Sequence, residues 1–517
     1  MLRKVNIGTW VLLAAILGSS MSSVDSTVVY VALPVLQKEL GATVVQAQWI
    51  VEAYVLLQAA LILVGGSLGD RFGRRRVFAF GLGLFAFASA LCGISATADQ
   101  LIAFRALQAL GGALLAPSSL AIISAHFDDR SRGKAIGAWS GAIALAAAIG
   151  PLLGGWLIGA FSWRWAFYIN VPIALITLVI LFWRVPESRD EESGGTLDWI
   201  GASLATLGLG GITLGLIESS NYGLGSPVVL SSIVLGILSL FAFVYSQSKV
   251  PHPMMPLSLF RSSNFSGANL ITLLLYGAFS VTLFFLPFNL IQIQGYSPLE
   301  AGASLLPISI ILGAFSGWAG GLVSKFGAKF PLIIGPLVVA VAFLYITQIG
   351  IGGSYWTTIF PAVLIMAVGL TIVFAPLSTT VMSSAPMRLS GTASGINNAL
   401  ISTANVLFVS LLGVVALHSF SAAVDRRIEP LELSPMIREQ IDQETVKLAN
   451  ASAPSSLNSS QQAAVNNIFD LAFVDAFKVL MLFCAGLSAA SAAVSWRMID
   501  GKPLGQKTRP ENNLNSA

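Results

Sequence analysis

Long apolar stretches, each closed by a few charged or turn-forming residues, recur along the whole chain. A helix needs about 20 mainly apolar residues to cross a bilayer core of about 30 Å. By that measure the pattern predicts fourteen spans: 9–36, 46–69, 77–95, 100–125, 134–161, 165–183, 199–218, 228–246, 265–293, 298–323, 331–349, 355–383, 391–420 and 472–496. An even number places both termini on one side. The first stretch follows Arg3 and Lys4 like a signal peptide, but it lacks a small-residue cleavage site and carries Asp25 in its interior, so it is read as a retained helix.

Composition changes the picture only by making it firmer. The 517 residues are 55% hydrophobic and 10% charged, with a mean hydropathy of +0.80; a soluble domain carries about 25% charged residues. The bilayer is the expected solvent. The net charge of +4 is small, and its placement bears on topology rather than on nucleic acid. With the N-terminus inside, the inner segments hold nearly all the arginines and lysines of the short connections, whereas the short outer loops hold Lys38 and Arg164. The positive-inside rule then puts both termini in the cytoplasm.

Cys92 and Cys484 fall within apolar stretches and predict neither a disulfide nor a metal site; His126, His252 and His418 belong to no catalytic constellation. No phosphate-binding loop of the Gly-x-x-x-x-Gly-Lys-Ser/Thr type occurs, so ATP is not the expected energy source, and no cofactor is expected. The long outer segment 421–471 is polar and reads as a solvated hairpin or cap, partly disordered, with a short amphipathic helix over 435–448. The inner stretch 186–198 reads as a linker.

One short element stands out at a helix mouth: Gly66-Ser67-Leu68-Gly69-Asp70-Arg71-Phe72-Gly73-Arg74-Arg75-Arg76. Its glycines allow close helix approach, Asp70 can bond across the contact, and the arginines suit a headgroup layer. It reads as a gate latch. A faded copy, Gly320-Gly321-Leu322-Val323-Ser324-Lys325-Phe326-Gly327, lies far downstream, and two landmarks recur at nearly the same interval: Leu33-Pro34 with Leu286-Pro287, and Ala116-Pro117 with Ala375-Pro376. The repeat predicts two six-helix halves with the seventh and eighth spans inserted between them, and a substrate site at their interface. Because Ser324 replaces the acid in the copy, the latch is expected to be asymmetric, with Asp70 held against 328–332 when the cavity faces outward.

The eleven-residue element resembles motif A of the major facilitator superfamily, and the fourteen-span count resembles its drug:proton antiporter branch. The resemblance implies an all-α membrane protein with the major facilitator fold: a six-helix bundle over 1–190, a linker and two inserted helices over 191–264, a second bundle over 265–497, and a tail over 498–517. Gly66, Gly69, Asp70, Arg71, Gly73, Arg74 and Arg75 take the gating positions. Gly150, Pro151, Gly154 and Gly155 resemble motif C, which marks exporters, with Ala146 in place of its first glycine. Arg105 opens a stretch similar to motif B, with Ala109 at a usual glycine.

Asp25 lies deep in the first span, where a charged acid costs a few kcal/mol or more unless it is paired, protonated or faces a cavity. That suits a proton carrier, with a fixed structural acid as the alternative. Arg105 and Glu52 sit nearer the outer ends of their spans and are expected to join Asp25 in a triad; Glu52 is either a second proton site, a substrate contact, or an interfacial side chain. Tyr30, Trp139, Tyr276, Phe284, Asn289, Gln292, Asn397 and Asn405 are candidate cavity residues. The expected activity is proton-driven export of small amphipathic, drug-like or cationic compounds by a monomer in a bacterial plasma or inner membrane. A proton-coupled importer and a transport-inactive sensor or scaffold are the alternatives. The partners expected are the substrate, protons and lipid, with no nucleic acid and no metal.

Overall fold

The computed structural model describes residues 7–189, 198–251, 253–386, 389–431 and 433–501, and among them the chain is helical with no strand. Thirteen of its segments are long and apolar enough to cross a membrane. Helices α1 (Ile7–Leu40), α2 (Val44–Phe72), α3 (Arg74–Ile94), α4 (Ala98–His126), α5 (Asp129–Ala160), the short α6 (Trp165–Tyr168) and α7 (Asn170–Arg184) pack on one another. A hairpin of α8 (Trp199–Tyr222) and α9 (Pro227–Gln247) follows. The rest comprises α10 (Ser263–Phe288), α11 (Pro298–Ser304), α12 (Leu306–Phe326), α13 (Lys329–Ile346), α14 (Ile359–Ser383), α15 (Ser390–Ile428), α16 (Pro435–Thr445) and α17 (Ser459–Met498), which is 40 residues long.

Local chemistry sets the breaks. Thr43 and Gln46 form a capping box that starts α2, and Ser297 with Glu300 does the same for α11. The predicted tenth span is broken at Leu305, where Pro307 cannot donate to the preceding turn and α12 begins afresh. Gly73 joins α2 to α3 at φ 103°, a conformation that favours glycine.

The two groups of helices meet near the far face, the one where α1 ends and α2 begins. Gln292 donates to the Pro34 carbonyl at 3.2 Å and Gln48 to the Val409 carbonyl at 2.9 Å. Glycines do the rest: Gly155 of α5 sits against Pro298 and Gly302 of α11 against Pro151, while within the first group Gly150 and Gly154 sit against Thr27 and Val28 of α1, each with no room for a Cβ. Towards the near face the groups part. Residues 313–318 of α12 are all exposed, and a Cβ on Gly137 or Gly141 of α5 would meet no described atom within 4 Å. A leucine at Gly302 must push α5 off α11; overpacking of this kind costs about 1–3 kcal/mol. Gly302→Leu is therefore expected to raise thiol labelling of an Asn405→Cys reporter from the far face by about tenfold, a readout that the buried Cys92 and Cys484 leave clean.

The segment 421–471 departs from the expectation of a solvated, partly disordered outer loop. Helix α15 runs on to Ile428 and α17 starts at Ser459, which shortens the connection; α16 falls within the expected amphipathic helix. The connection lies across the seam: Val44 N–H donates to the Val446 carbonyl at 3.0 Å and Gln37 to the Lys447 carbonyl at 2.9 Å. Ile441, Leu448 and Leu457 are buried, and apolar burial is what holds the segment down.

Helix α8 packs against both α2 and α15, and Trp49 donates to Glu218 at 2.9 Å. Helix α9 touches α8 through Gly211 and Gly236 and turns Phe241 and Tyr245 outward, as a helix facing lipid would.

Candidate functional site

Five helices bring polar side chains to one point inside the first group. Asp25 from α1 and Arg105 from α4 form an ion pair at 2.6 Å, with side-chain exposures of 0% and 1%. The second carboxylate oxygen accepts from Gln108 at 2.9 Å and from Asn170, the first residue of α7, at 2.8 Å. Both amides also donate to Ser89 of α3, at 3.2 and 2.9 Å, and Ser89 donates to the Phe167 carbonyl. Arg105 donates through Nε to the Ile50 carbonyl at 3.1 Å and through Nη1 to Gln108 at 2.7 Å, and its guanidinium lies 4.1 Å from the centre of the Tyr54 ring. A buried pair survives only when its remaining polar atoms are bonded, and here both Asp25 oxygens are.

Glu52 does not join this cluster, contrary to the expected triad. Helical phase is the reason: at 100° per residue, Glu52 and Tyr54 point to nearly opposite sides of α2, and it is Tyr54 that faces Arg105. Glu52 shares a face with Gln48, one turn away, on the side towards α15. It is 0% exposed, and neither carboxyl oxygen has a hydrogen-bond partner among the described residues.

The candidate cavity residues divide. Tyr30 and Asn405 bond across the seam at 3.1 Å, Asn397 donates to Thr272 at 2.8 Å and to Asn269 at 3.2 Å, and Trp139 donates to Ser19 at 3.2 Å. Tyr276 stacks on Phe374 with centroids 4.8 Å apart, both half-buried. Gln292 is spent on the far-face contact. Phe284 and Asn289 are corrections: Phe284 is fully buried between Phe285 and Phe288, and Asn289 is buried in the turn of π-helix that ends α10, so neither lines an opening.

At the motif-like turn, the side chain of Asp70 and the surroundings of Gly66 and Ser324 lie outside the described residues, and with them the expected latch. Gly69 accepts from the Gly73 N–H. The arginines have a partner that the sequence reading missed, because residues 185–188 fold back onto the turn instead of starting a free linker. Glu187 accepts from the Arg75 N–H at 2.9 Å, lies 3.7 and 3.8 Å from the Arg76 and Arg75 side chains, and fills the space where a Cβ on Gly73 would stand. Arg75 also donates to the Val185 carbonyl, the Arg74 N–H donates to the Ser188 carbonyl, and the Arg71 guanidinium lies over Phe72. Glu187→Ala is expected to lower Tm only slightly in thermal unfolding of the purified protein. The exposed pairs contribute at most about 1 kcal/mol.

Known proteins match this chain over most of its length. The model of the Major Facilitator Superfamily matches residues 15–409. The tetracenomycin C resistance and export protein of Streptomyces glaucescens is 33% identical over 404 residues, 78% of this chain and 75% of that protein. The methylenomycin A resistance protein of Bacillus subtilis is 31% identical over 414 residues, 79% and 87% of the two chains. Multidrug resistance protein Stp of Mycobacterium tuberculosis is 28% identical over 447 residues, 86% and 82%. Among solved structures, an inward-facing, unoccupied bacterial homologue of the human lysosomal transporter Spinster aligns with a TM-score of 0.67 at 17% identity, covering 96% of this chain and 99% of that one. PepTSo, a transporter of the POT family, aligns at 0.61 and 17%, covering 94% and 96%. At such identities the likeness is one of fold. Fold, apolar spans and relatives agree that this is a multi-pass membrane transporter and not an enzyme, and that the chain belongs to the Major Facilitator Superfamily, with the drug-efflux type as its kin.

Proposed function

We propose that this transporter is a proton-coupled antiporter that exports small amphipathic compounds by rocking two six-helix halves about a central site. The first half is α1–α7, the second α10–α17, with α17 as the fourteenth span and both termini cytoplasmic. On this reading the form described is open to the cytoplasm and shut outside by the far-face contacts.

The observation that carries the proposal is the buried Asp25–Arg105 pair. A carboxylate held in the membrane by one cation and two amide donors has somewhere to put a proton, and doing so removes the charge that binds α1 to α4. Arg105 does not deprotonate; it changes partners. Proton and substrate then favour different conformations of the same protein, which is what exchange requires. Glu52, at the seam and without a hydrogen-bond partner among the described residues, is the second acid of the scheme: it takes a proton or a cationic group of the substrate. Glu52→Gln separates these roles. A lowered rate for cationic compounds alone marks a substrate contact, and a lowered rate for every compound marks a proton site.

The relatives named for resistance to tetracenomycin C, methylenomycin A or several drugs support export of compounds of that general kind. The test is uphill transport in proteoliposomes. An imposed pH gradient should drive accumulation of tetraphenylphosphonium, a protonophore should abolish it, and ATP should not replace the gradient. Accumulation that survives the protonophore would sink the proposal.

A further inference from the structure

Ser22 and Gln58 belong to neither the Asp25 cluster nor the far-face seam. Ser22 and the fully buried Tyr54 share a hydrogen bond of 2.8 Å between their hydroxyls, and Gln58 donates to Tyr54 at 3.0 Å and to Ser22 at 3.3 Å. Ser22 and Gln58 are themselves only half-buried. On α1, Ser22, Ser26 and Tyr30 form one stripe at a spacing of four residues, and Tyr30 touches Asn405 of the other half, so the stripe runs from the seam towards the near face, with Ser22 and Ser26 half-buried. Gly112 makes this cluster fit: a Cβ there would stand 2.9 Å from the Gln58 amide nitrogen and 3.0 Å from the Tyr54 hydroxyl.

Tyr54 thus has two ends. Its hydroxyl is held by two half-buried side chains, and its ring lies 4.1 Å under the Arg105 guanidinium. A cation over an aromatic face is attracted by about 0.5–2 kcal/mol, more as water is excluded. We propose that Ser22, Gln58 and Tyr54 form a subsite for an uncharged oxygen of the substrate, a hydroxyl or carbonyl, and that Tyr54 carries its occupancy to the Asp25–Arg105 pair. The three side chains are neutral donors and acceptors, so they select a hydrogen-bonding group and not a charge. An oxygen seated there takes over part of the Gln58 and Ser22 bonding, and the Tyr54 hydroxyl and ring move with it. The guanidinium then sits differently over the ring, and its hold on the Asp25 carboxylate changes. The titratable groups facing Arg105 are Asp25 and, further off, Tyr30 from α1, Tyr54 from α2 and Cys92 from α3; α7 presents the uncharged Asn170, and Glu52 lies on the other side of α2. Tyr54 is a positioning residue for the proton step, and the inference rests on the reading of Asp25 as the proton site.

The test reads Asp25 directly. Infrared difference spectra of the full-length protein in proteoliposomes, with Asp25→Asn as the blank, give the pH midpoint at which the Asp25 carboxyl gains its proton. The probe is 1,8-dihydroxyanthraquinone, a neutral, flat, oxygen-bearing aromatic, and the control is tetraphenylphosphonium, which has no hydrogen-bonding group. In the wild type the anthraquinone should move the midpoint by about one pH unit, a tenfold change in proton affinity, and tetraphenylphosphonium should move it less. Tyr54→Phe keeps the ring on Arg105 and removes the hydroxyl, so it should abolish the anthraquinone shift. Gln58→Ala should abolish that shift too. A wild-type midpoint indifferent to the anthraquinone, or a full shift in Tyr54→Phe, overturns the inference. An Asp25 that shows no titration at all overturns the proton-site reading instead, and with it this inference.

Discussion

Arg105→Ala is expected to lower stability by about 3–5 kcal/mol, the usual cost of leaving one member of a buried ion pair uncompensated. Asp25 would then sit fully buried without its cation, and the Ile50 carbonyl and Gln108 would lose their donor as well. Thermal unfolding of the purified protein checks the loss as a large drop in Tm. The double variant Asp25→Asn/Arg105→Gln removes both charges and should recover most of it, because two neutral amides leave no charge stranded. It should not recover proton-driven transport. A double variant as unstable as Arg105→Ala would mean that the charges are not what joins α1 to α4.

Asp25→Asn alone should lose stability on the same scale, because it leaves the buried Arg105 cation uncompensated, and should lose function as well. The asparagine oxygen can still accept from Arg105, whereas its amide group meets the donors of Gln108 and Asn170, an unmade bond of about 1–3 kcal/mol. The site can no longer take up or release a proton, so exchange driven by a pH gradient should fall by about a hundredfold or more, the scale lost with a positioned acid or base. Substrate binding measured without a gradient should stay within a few-fold of the wild type. Strong loss of binding together with loss of exchange would assign Asp25 to the substrate instead.

The apolar spans were legible because hydropathy at a length of about 20 residues needs no tertiary information. Asp25 and Arg105 were legible for a related reason: a charge inside such a run demands a partner, and few are available. The rest of their cluster was not. Ser89 and Asn170 are small polar residues of a kind common in membrane helices, and nothing local ties them to a carboxylate on another helix. Gln108 had a usable signal, since it lies one turn from Arg105 on the same face. Glu52 was misplaced although its depth was read well, because depth alone ignores rotation about the helix axis, and the phase relative to Tyr54 turns it towards α15. Glu187 was hidden in a stretch whose charge and glycines resembled a linker, yet an acid just after a helix end, with arginines at the mouth of another, is the pattern that could have exposed it. The segment 421–471 reads as solvated because its composition is polar, whereas a few buried apolar side chains, Ile441, Leu448 and Leu457 among them, decide where it lies.

The central claim is that protons move through this protein in exchange for substrate, and that Asp25 carries them. Proteoliposomes with the protein oriented one way and a preset pH gradient, reported by a pH-sensitive dye, test it in one trace. Adding tetraphenylphosphonium should dissipate the gradient in the wild type and leave it intact in Asp25→Asn. Dissipation by the Asp25→Asn variant at the wild-type rate would contradict the account.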